Sequence, residues 1–228
     1  MPISLVNPYL EVGNIHNQAL DWVASQLHAP EVLPTDKLIE LVTNWYVTQV
    51  PELTPEQKAG FYALTAMGMN YTQRYSVAEL CQVAKLSDQA TSFITQACGL
   101  AGGFPEIIAQ LNSLNVQALA ADLSDNDQSY TLLTLAIALK SAEYGQLQQT
   151  LGDKSPWSGY GYGTGNRAWP WSADAHGGLA GAIAGAIAGA IGGVAGGFLG
   201  IFAGFVGGGI IGGYSGAIGE SIATAVGP

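Results

Sequence analysis

Positive charge is scarce in this chain. Only seven of the 228 residues are lysine or arginine, against seventeen aspartates and glutamates, and the formal net charge is −10. The last cation is Arg167, so residues 168–228 contain neither lysine nor arginine. Because nucleic acids and anionic lipid surfaces attract proteins through basic patches, this composition argues against both as partners.

Cysteine is also rare, and motifs for catalysis or metal binding are lacking. Cys81 and Cys98 are the two cysteines, and their spacing fits neither a metal site nor a disulfide framework, so we expect free buried thiols. His16 lies beside Asn17 and near Asp21, but no nucleophile motif accompanies it, and we expect a capping or core histidine. We therefore expect no catalytic residue, no bound cofactor and no metal, and hence no enzyme.

Three acidic residues resemble part of a calcium-binding loop. They are Asp122, Asp125 and Asp127. The turn glycine of such a loop is missing, and Ala136 stands where its bidentate carboxylate belongs, counting from Asp125. We expect these residues in a loop that caps helices.

A secretory signal is not evident at the N-terminus. The first lysine or arginine is Lys37, and the chain reaches polar residues by Asn7 instead of continuing into a long apolar segment. We therefore do not expect a Sec substrate.

Residues 1–150 lack the alternation typical of strands and instead show helical signals. Apolar residues recur at helical spacing before Pro30, and a second such stripe ends before Pro51. Capping patterns begin at Thr54 and Ser76. Further helices are predicted at about 87–98, 104–112 and 115–123, and a central helix at Tyr130–Leu139, which is apolar almost all round. These features predict an all-α domain, and with five cations against fourteen acidic residues its net charge is −9.

The most distinctive feature present is a long uncharged segment with glycine at every fourth position. It covers 43 residues, Gly177–Gly219. The packing glycines are Gly181, Gly185, Gly189, Gly193 and Gly197, followed in a second register by Gly200, Gly204, Gly208, Gly212 and Gly216. On a helix this spacing forms a smooth strip on which another helix can pack closely. The pattern predicts a glycine zipper.

The length and spacing of the zipper favour a membrane-embedded helical hairpin. A spanning helix needs about 20 residues, so the segment is long enough for two passes. One alternative is a single span centred on Phe198–Val206, and another is a glycine-rich soluble core or fibre-forming tail. Because Gly177–Gly193 is only marginally lipophilic, close packing in a hairpin or homo-oligomer would have to supply stability.

Aromatic residues are concentrated just before the zipper. Trp157, Trp169 and Trp171 lie among glycines, prolines and tyrosines, and tryptophan prefers the headgroup layer of a bilayer, so we expect these three at the membrane interface. The alternative is an aromatic linker that folds back onto the helical domain. The predicted division is an acidic helical domain at 1–150, an aromatic linker at 151–176, the zipper at 177–219 and a tail at 220–228.

Two resemblances accompany these patterns. The opening motif Asn7-Pro8-Tyr9, Gly13, His16-Asn17 and Leu20-Asp21 resembles the start of a group of uncharacterised bacterial proteins that pair a helical N-terminal region with a Gly/Ala-rich tail. This resemblance covers little more than twenty residues and implies no activity. The tail is similar to double-glycine bacteriocins, since cleavage after Gly177-Gly178 would release residues 179–228. It departs from that family because the leader would have 178 residues and the product would carry no cation.

Together these patterns predict a non-enzymatic, membrane-associating bacterial protein. An acidic helical domain would keep the zipper soluble until it meets a lipid bilayer, where the zipper would form an oligomeric pore. The alternative is a structural or anchoring protein whose zipper drives protein assembly without a pore.

Overall fold

The fold is all-α in the part of the chain that the computed structural model describes, which comprises residues 6–28, 33–49, 54–162, 164 and 169–193. No β-strand occurs among these residues, which confirms the predicted fold class. The helices are α1 (Leu10–Gln26), α2 (Thr35–Gln49), α3 (Pro55–Arg74), α4 (Val77–Val83), α5 (Asp88–Cys98), α6 (Phe104–Ala120), α7 (Asp125–Leu151) and α8 (Trp171–Gly193). Two short 3₁₀ turns, Gly152–Lys154 and Ser158–Tyr160, lie between α7 and α8.

Several helices begin where side chains can satisfy the first backbone N–H groups. At α4 the Ser76 hydroxyl accepts a hydrogen bond from the Glu79 backbone at 3.3 Å, and the Glu79 carboxylate accepts one from the Ser76 backbone at 2.8 Å. At α5 and α7 the hydroxyls of Ser87 and Ser124 accept from the backbone N–H groups of Ala90 and Asp127. Pro55 opens α3, since a helix loses no hydrogen bond when proline occupies its first turn.

The prediction of two short helices at 104–112 and 115–123 was wrong, because α6 is continuous from Phe104 to Ala120. The intervening asparagines find partners that are compatible with the helix. Asn112 donates to the carbonyl of Ile108 at 3.0 Å. The Asn115 amide oxygen accepts from Asn7 at 2.7 Å, a tertiary contact that sequence spacing cannot reveal.

The central helix of the fold is α7. All ten residues of Tyr130–Leu139 are buried, as the apolar pattern predicted. α7 packs against α1, α5, α6 and α8, so it contacts both the N-terminal helices and the start of the zipper.

α8 is a second interior helix. It packs most extensively against α3 and α7 and also contacts α4 and α5. The His176 imidazole donates to the carbonyl of Tyr75 at 2.9 Å, which places the start of α8 beside the end of α3. α8 crosses the boundary predicted between 176 and 177, so the first part of the zipper belongs to the helical domain. The remainder of the zipper, 194–219, and the tail, 220–228, lie outside the described residues.

Candidate functional site

The first glycines of the predicted zipper are buried in the interior of the domain. Every residue from Gly177 to Ala186 is buried, including Gly181 and Gly185, so this part of α8 is enclosed on all sides. α8 continues as a helix to Gly193 and therefore includes Gly189. The other predicted packing glycines lie outside the described residues: Gly197, Gly200, Gly204, Gly208, Gly212 and Gly216.

One hydrophobic cluster joins α8 to the helices that enclose it. α8 contributes Leu179, Ala180, Ala182, Ile183 and Ala186, and the other helices contribute Leu80, Cys81, Ile94, Tyr130, Leu133 and Ile137. Through these side chains α8 packs against α4, α5 and α7. In this structure the partners of α8 are helices of the same chain.

The three tryptophans expected at a membrane interface lie in the protein interior. Trp157 is 0 % exposed, Trp169 is 4 % and Trp171 is 7 %. The ring centroids of Trp157 and Trp169 are 5.6 Å apart, and Tyr162 lies 5.2 Å from Trp169. This arrangement matches the alternative in which the aromatic segment folds back onto the helical domain. A place in the headgroup layer would therefore require this segment to leave its site.

A hydrogen-bonded chain connects the aromatic segment to α1 through Tyr144. The Trp157 indole donates to the Tyr144 hydroxyl at 2.9 Å, and that hydroxyl donates to Asp21 at 2.6 Å. Burial raises the pKa of Tyr144 well above its ordinary value, and the hydrogen bond to Asp21 raises the pKa further. Tyr144 therefore remains a neutral donor.

A buried polar cluster fixes the start of α8. The Ser141 hydroxyl, on α7, donates to a carboxylate oxygen of Asp174, on α8. The His16 Nε2, on α1, lies 3.8 Å from the same carboxylate oxygen, and both side chains are 0 % exposed. The Trp169 indole donates to the Ser141 hydroxyl at 3.0 Å. We call Ser141, Asp174 and His16 the Asp174 cluster.

The position of one proton in the Asp174 cluster follows from Asn17. The Asn17 amide nitrogen donates to the carbonyl of Lys140 at 2.9 Å, so its amide oxygen faces His16 Nδ1 at 3.0 Å and must accept. The proton of a neutral His16 is therefore on Nδ1. The unprotonated Nε2 of such a neutral His16 would face the Asp174 oxygen lone pair to lone pair, which is repulsive. The contact is favourable only when a proton lies on Nε2 or on that oxygen.

The Asp174 cluster has the residue types of a nucleophilic triad but not its order. In a triad the imidazole lies between the hydroxyl and the carboxylate, so that it can take the proton of the nucleophile. Here the carboxylate lies between Ser141 and His16, and Ser141 directs its proton to Asp174. All three side chains are also fully buried. The geometry suits the fastening of helices better than attack on a substrate.

The sequence-predicted roles of several other polar residues agree with the structure. The acidic segment lies at the start of α7, where Ser124 is the cap and Asp125 and Asp127 are in the first turn of the helix instead of in a loop. Asp127 also accepts a hydrogen bond from the Ser87 backbone at 3.1 Å. Cys81 and Cys98 are free thiols, Cys81 fully buried and Cys98 partly buried. Burial raises the pKa of Cys98 to about 12. Within the described ranges no group of acidic, histidine or cysteine side chains is arranged to hold a metal ion.

The sequence predicted a capping or core histidine at His16, which is buried, but it did not predict the roles of Ser141 and Asp174. One signal was available for Asp174, which is the only acidic residue between Asp153 and Glu220. A single carboxylate at the start of an uncharged helix has to find a buried donor if that helix enters the core. Ser141 had no comparable signal, because its hydroxyl is uncharged and can also be satisfied within its own helix.

Of the helices that the structure describes, none has both the length and the apolar character needed to cross a membrane. No protein-family model, no curated protein and no solved structure matches the chain.

Proposed function

We propose that this is a membrane-associating protein whose helical domain shelters the first arm of a glycine-zipper hairpin. The observation that carries the proposal is the enclosure of Gly177–Ala186 by helices of the same chain, directly before a further uncharged zipper segment at 194–219. A helix this rich in glycine and alanine gains little from the hydrophobic effect alone, so it depends on close packing partners. In the closed domain, helices of the same chain are these packing partners. After release, a bilayer or the zipper of a second copy would take their place.

The most concrete activity for such a protein is permeabilisation of a bilayer by an oligomeric pore. On release from the domain, α8 would lose the side chains that now cover its glycines. The zipper of a second copy offers an equivalent close-packed surface, and the lipid would complete the apolar surroundings. Homo-oligomerisation and insertion are therefore coupled in this proposal. Neutral lipid is the expected target, because the helical domain has a net charge of −9.

The alternative is a structural protein in which the zipper packs protein against protein without forming a pore. One observation favours it, since α8 already serves as an interior helix of the domain. In that case the segment after Gly193 would anchor the domain or build a closed assembly. The two proposals differ in whether vesicle contents escape.

Dye release from vesicles separates these two functions. Gly200→Leu combined with Gly204→Leu adds bulk to the strip beyond the buried part of α8. The control Phe202→Leu changes a residue that is two positions from each of these glycines, so on a helix it lies on the opposite face. We expect neutral vesicles to release dye with the natural chain and the control, and at least about tenfold less with the double variant. Binding without release by all three proteins would support the anchoring alternative and contradict the pore.

A further inference from the structure

We propose that the outer face of α3 is the surface that the protein turns toward a lipid bilayer. The outer face is the exposed side of α3 that carries Ala59, Ala63 and Asn70, opposite to the buried Thr65 and Met69. This inference rests on the proposed function, because it names the face with which the domain that shelters α8 meets the lipid.

The position of α3 in the fold makes this face relevant to α8. α8 packs most extensively against α3 and α7, and these two helices share no extensive contact with each other in the described part of the chain. α3 and α7 therefore lie on different sides of α8. A bilayer that touches the outer face of α3 is separated from the sheltered α8 by about one helix diameter, roughly 10 Å.

The charge of α3 differs from that of the other helices. α3 contains two cations, Lys58 and Arg74, and one carboxylate, Glu56, which gives a net charge of +1. Each of the other seven described α-helices contains more carboxylates than cations. The headgroups of neutral phospholipids still carry phosphates, which accept hydrogen bonds from lysine and arginine. An acidic domain therefore meets these headgroups most favourably through α3.

The two cations of α3 are available for such contacts. Lys58 and Arg74 are both exposed, and among the described residues neither of them takes part in an ion pair. The cations of the other α-helices differ in this respect, because Lys37 and Lys140 each pair with a glutamate three residues later, at 2.7 and 2.8 Å.

Between its two cations α3 presents an uncharged surface bordered by tyrosine. Residues 59–73 contain no charged side chain, and on a helix they cover about 22 Å. Tyr62 is 40 % exposed, and Tyr75, directly after α3, is 37 % exposed. Tyrosine prefers the headgroup layer of a bilayer. Cations, tyrosines and an uncharged surface are together the side chains that this layer accommodates.

This surface is too weak to hold the domain on a bilayer by itself. Alanine and glycine bury little apolar area, so the outer face orients a chain that the segment 194–219 already attaches. A second copy suits this face less well than lipid does, because an α3–α3 contact would bring unpaired cations of the same sign together.

A fluorescent probe on the outer face tests the proposal in the full-length protein. Ala63→Cys is labelled with a nitrobenzoxadiazole dye, whose emission brightens and shifts to the blue when it leaves water. The control probe is Val116→Cys on α6, where Val116 is 56 % exposed. Cys81 is 1 % exposed and the pKa of Cys98 is raised to about 12, so labelling at neutral pH selects the introduced cysteine.

With neutral vesicles, we expect the probe at position 63 to brighten by about twofold and shift to the blue, and the probe at position 116 to keep its emission. If the protein floats with the vesicles but the probe at 63 does not respond, or both probes respond equally, the α3 surface is overturned. A shift at 63 without lipid that grows with protein concentration would identify a second copy as the partner and would also overturn it.

A charge on the outer face provides a second test. With the probe moved to Ala59→Cys, the further change Ala63→Glu should abolish the blue shift, because it places a carboxylate in the uncharged surface. Val116→Glu adds the same charge to α6 and should leave the shift unchanged. Both positions are exposed, so neither variant disturbs the core. A shift that survives Ala63→Glu, or is lost equally in Val116→Glu, would contradict the proposal.

A tethered arm separates this inference from the proposed function. A histidine tag after Pro228 holds the full-length chain on neutral vesicles that contain a small share of nickel-chelating lipid. If the untethered protein does not float but the tethered probe at 63 shifts, the α3 surface stands and the proposed membrane function fails. If the untethered protein floats and the probe at 63 shifts in neither arm, the membrane function stands and the α3 surface is overturned.

Discussion

At the scale of single residues, close contact between helices depends on particular glycines. Gly13 brings α1 against α7, where an added Cβ would lie 2.6 Å from the Lys140 side chain and 2.8 Å from the Ala136 carbonyl oxygen. Gly60, by contrast, lies in α3 with nothing within 4 Å of the corresponding position. Replacing glycine by alanine should therefore change the stability of the protein in opposite directions at the two sites.

We predict that Gly13→Ala destabilises the protein by about 1–3 kcal/mol, because the backbone of α1 must move away from a carbonyl that cannot yield. Gly60→Ala should stabilise it by about 1 kcal/mol, since alanine favours an exposed helix interior. Urea unfolding of both variants measures the two free energies. Equal effects of the two substitutions would contradict the close packing of α1 on α7.

The protein should lose stability in alkali, because two tyrosines and one cysteine have pKa values raised by burial. Burial raises the pKa of Tyr130 and of Cys98 to about 12 each, and the pKa of Tyr144 is raised still further. The unfolded chain releases these protons from about pH 8 upward, whereas the folded chain keeps them. Their contribution to stability is therefore fully present below about pH 8 and is lost as the pH rises toward 12.

The expected slope is a loss of up to about 1.4 kcal/mol per pH unit for each of these groups. Urea unfolding between about pH 8 and pH 10.5 measures it. Tyr144→Phe removes one of these groups and should make the slope shallower, although the variant is less stable at neutral pH because the Trp157 indole loses its acceptor. A stability that does not change with pH over this range would contradict the burial of these groups.

At the scale of helices, the sequence predicted the features that depend on interactions between neighbouring residues. The capping box at Ser76, the proline at the start of α3 and the buried α7 all follow from neighbouring residues. The continuity of α6 and the cross-helix bonds of Asp174 could not be predicted, because Asn115 and Asp174 are satisfied by Asn7 and Ser141, which are distant in sequence. The glycine spacing predicted a helix, which the structure shows as far as Gly193, but it could not identify the helices of the same chain that enclose its first part.

The enclosure of α8 predicts where the chain can be shortened. A chain that ends at Gly193 keeps the buried residues Gly177–Ala186 and should retain its helical content and cooperative thermal unfolding. A chain that ends at His176 loses this interior helix and exposes the apolar side chains that covered it, so it should unfold without a sharp transition. Circular dichroism with heating measures both. Cooperative unfolding of the shorter chain would show that α8 is not part of the core.

At the scale of the whole molecule, an acidic helical domain is combined with an uncharged, glycine-rich C-terminal segment. The described part of the chain forms a core around α7 and α8, and the Asp174 cluster fastens α8 to α1 and α7. The sequence-predicted hairpin would consist of α8 and the segment that follows it. The central claim is that this following segment confers membrane binding and that the domain alone does not.

Flotation of vesicles tests this claim most directly. The full-length protein and the chain ending at Gly193 are mixed at equal concentration with neutral vesicles. The account predicts that the full-length protein floats and that the shortened chain stays at the bottom of the gradient. Flotation of neither protein, or equal flotation of both, would contradict it.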